Sequence, residues 1–126
     1  MDSVVHFELP FEDQARAEKF YQDVFGWKTM SMPGMGYVMA YSAEVDEQHM
    51  TKESGRINGG MFQRQEPFKG PVIILNVEDL DAKLEQVASH GGQIIRGKQA
   101  VGDMGWAAYV NDPENNLIGV WQSMKK

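Results

Sequence analysis

The side chains best placed to do chemistry come early. In Val4-Val5-His6-Phe7-Glu8-Leu9, closed by Pro10, apolar and polar residues alternate as in a strand that ends at a breaker. Residues two apart on a strand share a face, so His6 and Glu8 point one way while Val5, Phe7 and Leu9 pack the other way. A carboxylate near an imidazole raises its pKa and orients one tautomer, which suits proton transfer next to a carbonyl. As metal ligands the same two side chains would hold an ion only weakly. The other histidines, His49 and His90, lie in a polar stretch and at an expected helix end. With no Cys in the sequence, disulfides, Cys-ligated zinc, iron–sulfur clusters and thiol nucleophiles are all excluded.

The elements that must position these residues follow from periodicity and punctuation. Asp13 can cap a helix whose apolar residues Ala17, Phe20, Tyr21, Val24 and Phe25 recur at helical spacing until Gly26 stops it. Strands are expected at 27–30 and 37–41 around a Pro33-Gly34 turn, then, after a polar loop over 43–56, at 57–63, weakened by Gly59 and Gly60. The second half repeats the programme. A β-rich run at 71–77 precedes a helix capped by Asp79 and carrying Leu80, Leu84, Val87 and Ala88, which Gly91-Gly92 ends. Strands at 93–96, 106–110 and 116–122 follow, the last two joined through Asp112-Pro113-Glu114-Asn115.

Local strings recur in the same order. Met35-Gly36-Tyr37 returns as Met104-Gly105-Trp106, 69 residues on, and Gly60-Met61-Phe62-Gln63 as Gly119-Val120-Trp121-Gln122, 59 residues on. The pattern predicts an α+β fold of two βαβββ modules, at about 4–63 and 71–122, in one domain spanning 1–126. Their strands would pair into a curved mixed sheet around a cavity.

A net charge of −6 lacks the basic footprint that nucleic acid demands. No run approaches the length of a membrane span, and the N-terminus has no signal-peptide pattern, so a soluble, cytoplasmic protein without nucleic-acid or membrane partners is expected.

The chain resembles the vicinal oxygen chelate superfamily of glyoxalases, bleomycin-resistance proteins and extradiol dioxygenases. The resemblance is carried by His6-Phe7-Glu8-Leu9, by the run from Ala17 to Trp27 with its Phe20-Tyr21 and Phe25-Gly26-Trp27 strings, by Val77-Glu78-Asp79-Leu80-Asp81, and by the run from Asp112 to Trp121. It covers essentially the whole chain and implies a glyoxalase-like fold and a homodimer. Metal-using members place one ligand on the first and one on the last strand of each module, which here fall on His6 and Gly60, and on Val72 and Gly119. Only His6 has a donor side chain, so no cofactor is expected.

By strand alternation, Asn58, Gly60 and Phe62 should face inward with His6 and Glu8, and Leu117, Gly119 and Trp121 should do so in the second module. Tyr37 and Trp106 form a further symmetric pair beside their Met-Gly turns. Glycines at the ligand positions should leave open space between aromatic walls, which suits a flat or cationic small organic molecule. The expected function is therefore metal-free binding of such a molecule. The alternative is a lyase or isomerase that uses His6 and Glu8 as acid and base, with or without a weakly held divalent ion. The cluster Met30, Met32, Met35 and Met39 is expected to pack, the 43–56 loop to be solvated surface, and Lys125 and Lys126 to form a solvated tail.

Overall fold

A computed structural model describes residues 1–124. Lys125 and Lys126, expected as a tail, lie outside the described residues. The fold is α+β, with eight strands of mixed sheet and two helices: β1 (Val4–Phe11), α1 (Gln14–Phe25), β2 (Lys28–Met32), β3 (Tyr37–Tyr41), β4 (Asn58–Gln63), β5 (Val72–Asn76), α2 (Leu80–Ser89), β6 (Gln93–Val101), β7 (Gly105–Asn111) and β8 (Leu117–Ser123). Each half runs strand, helix and three strands, the order expected from the repeat. The chain divides into two compact units, one of His6–Pro71 and one of Met1–Val5 with the chain from Val72 onward. Among the described residues no helix is long and apolar enough to cross a membrane.

In the unit of His6–Pro71 the strand order is β2-β3-β4-β1. β1 runs parallel to β4, while β3 is antiparallel to both β2 and β4. Helix α1 starts because the Asp13 side chain accepts from Arg16 N at 3.0 Å, and it ends because Gly26 takes the left-handed conformation, φ 72°, which its missing Cβ permits. Its Ala17 and Tyr21 then cover the buried Phe11, Val38, Ala40 and Met61, together with Phe7, Leu9 and Trp27. Tyr21 and Trp27 stack at 4.6 Å. Because this cluster uses Phe7, Leu9 and Phe11, alternation along β1 turns His6, Glu8 and Pro10 to the opposite face of the sheet.

In the other unit the order is β5-β8-β7-β6, again with one parallel pair, β5 with β8. Asp79 caps α2 by accepting from Ala82 N at 3.1 Å, and Gln122 Oε1 accepts from Leu80 N at 2.7 Å. Leu80 and Leu84 are buried with Val77, Ala108, Val110 and Val120.

Some strand limits differ from expectation. Pro10 does not close β1, because it pairs in register with Phe62 and Phe11 O accepts from Arg64 N at 2.7 Å. Strand β6 continues to Val101, five residues beyond the expected Arg96, through register shifts between Ile94 and Arg96 and between Arg96 and Gln99. Those irregularities break the alternation that a sequence reading needs. The 43–56 loop has local order: Asp46 Oδ1 accepts from Gln48 N at 2.9 Å and from Met50 N at 3.0 Å, and Val45 bridges Thr51.

Candidate functional site

The face of the first unit turned away from α1 carries the candidate chemistry. Register places His6 opposite Asn58, Glu8 opposite Gly60 and Pro10 opposite Phe62, and places Tyr37 opposite Phe62 from β3. His6, Glu8, Tyr37, Asn58, Gly60 and Phe62 thus share one sheet face. The structure brings together all six of the first-module residues that the sequence singled out.

The contact among them was not foreseen. His6 and Glu8 do not meet as a direct pair, because the Tyr37 hydroxyl stands between them. It lies 2.8 Å from His6 Nε2 and donates to Glu8 Oε2 at 2.8 Å. Glu8 is only 5% exposed, so its link to Tyr37 is made where water does not compete freely. His6 is half-buried, and desolvation pushes its pKa down from 6.5 to about 4, so the ring is neutral at pH 7. This reverses the expectation that Glu8 would raise the His6 pKa. The carboxylate is bound to a phenol, and loss of solvent around the imidazole dominates.

Open space was also expected above Gly60. Instead the Tyr37 ring lies across it: a Cβ at Gly60 would come well inside 3.0 Å of Tyr37 Oη, Cζ and Cε1. Tyr37 is the diagonal neighbour of Gly60 across β3 and β4, and an aromatic ring laid over a glycine in this way covers a backbone the glycine leaves bare. The Tyr37 ring is also stacked with Phe62, at 6.1 Å and 26°, and Phe62 meets the buried Phe68 edge-on at 4.8 Å. Phe62 is accordingly 9% exposed. The sequence reading missed Phe68; its only signal there was one aromatic in a polar run. Asn58 Oδ1 accepts from Ala43 N at 2.8 Å and so ties the start of the 43–56 loop to β4.

The second unit is built differently at the matching positions. Ile74 stands opposite Gly119, as Glu8 stands opposite Gly60, and its side chain covers the glycine: a Cβ there would overlap Ile74 Cδ1 and come within 3.3 Å of Tyr109 Cε1. The space expected at Gly119 is thus filled as well. Val72, the counterpart of His6, is buried at 2%. Trp121 is half-buried on the Gly119 face, opposite Ala107.

Trp106 is not on that face. It pairs with Gln122 and packs against the cluster of Leu80 and Leu84 beneath α2, with Lys98 Nζ 4.7 Å from its ring centroid. The pairing of Tyr37 with Trp106 is therefore corrected. Phe62 faces Tyr37, but Trp121 faces Ala107, so Ala107 is the positional counterpart of Tyr37 and Trp106 falls one residue out of phase. A shift of one residue along a strand reverses the face.

Among the described residues no group of three or more His, Cys, Asp or Glu is placed to hold a metal ion. The positions where the family resemblance would place metal ligands hold His6, Gly60, Val72 and Gly119.

Comparison with known proteins adds the following. A family model described as bleomycin resistance protein-like N-terminal matches residues 3–40. The glyoxylase-named CFP32 proteins of Mycobacterium bovis and Mycobacterium tuberculosis are 28% identical over 116 residues, 92% of this chain and 44% of theirs. The chain thus spans less than half the length of these relatives. A lactoylglutathione lyase of Haemophilus influenzae is 29% identical over 119 residues, covering 91% of this chain and 88% of the relative. Among solved structures, a variant of Streptomyces coelicolor methylmalonyl-CoA epimerase in complex with 2-nitronate-propionyl-CoA superposes with a TM-score of 0.65. That match covers 98% of this chain and 95% of the epimerase at 16% identity, which makes it a likeness of fold.

Proposed function

The chain belongs to the vicinal oxygen chelate superfamily of glyoxalases and bleomycin-resistance proteins, and from that premise we propose that it binds a small organic molecule without a resident metal ion, at the sheet face of His6, Tyr37 and Phe62. The observation that carries this reading is the Tyr37 side chain, laid over Gly60 and hydrogen-bonded to both His6 and Glu8. It supports metal-free binding in two ways. The glycine offers an ion no donor, and Tyr37 engages both neighbouring side chains that could coordinate one. A catalytic ion usually needs three protein ligands, and His6 is the single donor at the four family positions.

The rest of the face suits an organic ligand. Tyr37, half-buried and stacked on the buried Phe62, supplies aromatic surface, half-buried His6 supplies a polar group, and Asn58 stands beside His6 in register. Glyoxalase-like relatives and a structural neighbour solved with an acyl-CoA analogue are consistent with a small-molecule ligand. The homodimer implied by the family resemblance belongs to the same proposal, and light scattering that returned the mass of one chain, 14.2 kDa, would remove it.

The test is a fragment screen on isotope-labelled, metal-stripped protein followed by two-dimensional NMR. Binders should shift the amides of His6, Tyr37 and Phe62 together, and Phe62→Ala should weaken them. Shifts that scatter elsewhere, or that need added divalent metal, would overturn the reading.

A further inference from the structure

With Glu8 as the carboxylate, the polar end of this face has one hydrogen-bonding sense. A phenol has one proton to donate, and Tyr37 donates its own to Glu8 Oε2. The Tyr37 oxygen must then accept from His6 Nε2, 2.8 Å away, so Nε2 carries the proton of the neutral ring. His6 Nδ1 is left with a lone pair. Among the described residues Nδ1 has no side-chain or backbone partner, and no buried side-chain nitrogen or oxygen lacks one, so Nδ1 is not buried. Beside it lies a run of near-parallel rings: His6 and Tyr37 are 14° apart in plane at 6.5 Å, and Tyr37 and Phe62 are 26° apart at 6.1 Å.

Resting on the small-molecule reading above, we infer that the site selects aromatic molecules bearing an O–H or N–H donor, which stack along this run and donate to His6 Nδ1. Tyr37 and Glu8 are positioning residues here: they hold the tautomer that makes Nδ1 an acceptor. A ligand presenting an ether or carbonyl oxygen at that place would set lone pair against lone pair and leave Nδ1 unpaired on binding. The low basicity of His6 agrees with this, because a neutral ring keeps its acceptor across the physiological range.

The experiment compares 1-naphthol with 1-methoxynaphthalene by isothermal titration calorimetry against the full chain at pH 7. The two probes share a ring system and differ in the donor. 1-Naphthol should bind roughly three- to tenfold more tightly, the range of one neutral hydrogen bond. His6→Phe, which keeps a ring but removes the acceptor, should bring the two affinities together. The ¹⁵N resonance of Nδ1 in the unaltered protein should move with 1-naphthol and stay with the ether, which decides the matter even where the variant folds poorly. Equal affinities in the unaltered chain, with Nδ1 unmoved, would overturn the donor rule and leave the small-molecule reading standing. Binding of neither probe would count against both.

Discussion

Replacing Gly60 by alanine adds one methyl group, and the structure says where it must go. The new Cβ would come well inside 3.0 Å of three atoms of Tyr37. That ring is not the free end of a flexible side chain: its hydroxyl is held at 2.8 Å by His6 and at 2.8 Å by Glu8, and its face is stacked on Phe62. Accommodating the methyl means swinging the ring aside. Overpacking of this kind costs about 1–3 kcal/mol, and each hydrogen bond given up costs about 1 kcal/mol. Alanine recovers about 0.5–1 kcal/mol through lower backbone entropy in the unfolded chain. The net loss should be about 2–4 kcal/mol, a large part of a domain's roughly 5–15 kcal/mol. Urea denaturation followed by circular dichroism should show a lower midpoint at unchanged slope. The decisive comparison is a second background. In Tyr37→Ala the obstacle is gone, so adding Gly60→Ala should be neutral or slightly stabilising, a strong departure from additivity. A loss below about 0.5 kcal/mol in the unaltered chain, or the same loss in both backgrounds, would show that Tyr37 does not lie over Gly60.

Further outcomes follow from the same geometry. Tyr37→Phe keeps the ring but removes the hydroxyl that links His6 to Glu8, and should destabilise by about 1–3 kcal/mol in the same denaturation assay. Gly119→Ala should cost less than Gly60→Ala, because its closest obstacle is Ile74 Cδ1, the rotatable end of an aliphatic chain; equal losses would contradict this. Stability should also depend on His6 between pH 6.5 and 4. Its folded pKa is held at about 4 against 6.5 unfolded, so in that window the unfolded chain binds a proton that the fold refuses. The contribution is full above pH 6.5 and is lost as pH falls toward 4, by about 1–3 kcal/mol once the half-exposure of the ring is discounted. Thermal melts across that range should show a shallower decline for His6→Gln, and identical slopes would refute the assignment.

Much of the fold could be read from punctuation and period. Asp13 and Asp79 cap the helices as expected, and Gly26 ends α1, because these are local effects of one side chain on its own backbone. Alternation in β1 also assigned His6 and Glu8 to the face away from α1. The sequence failed where the outcome depended on register between strands. The offset from Tyr37 to Trp106 differs from that between the glycine strings, and nothing in the strings says which strand absorbs the difference. In the structure, Trp121 faces Ala107 and Trp106 drops beneath α2.

The filling of the glycine positions was hidden for a related reason. A glycine announces that no side chain stands there, but not that a diagonal neighbour's ring or a partner strand's isoleucine will cover it. Gly59 and Gly60 are expected to weaken β4; both hold register with β1, and the Phe7 and Tyr37 rings cover them. The bridge from His6 to Glu8 through Tyr37 joins residues 31 and 29 positions apart in sequence, and no local spacing encodes it.

The central claim is a metal-independent small-molecule site on the face of His6, Tyr37 and Phe62. It is tested most directly by a thermal-shift screen of aromatic fragments run in parallel with EDTA and with added zinc. The account predicts fragments that raise Tm equally in both conditions and lose their effect in Phe62→Ala. Stabilisation that appears only with zinc, vanishes with EDTA and is abolished by His6→Ala would contradict it.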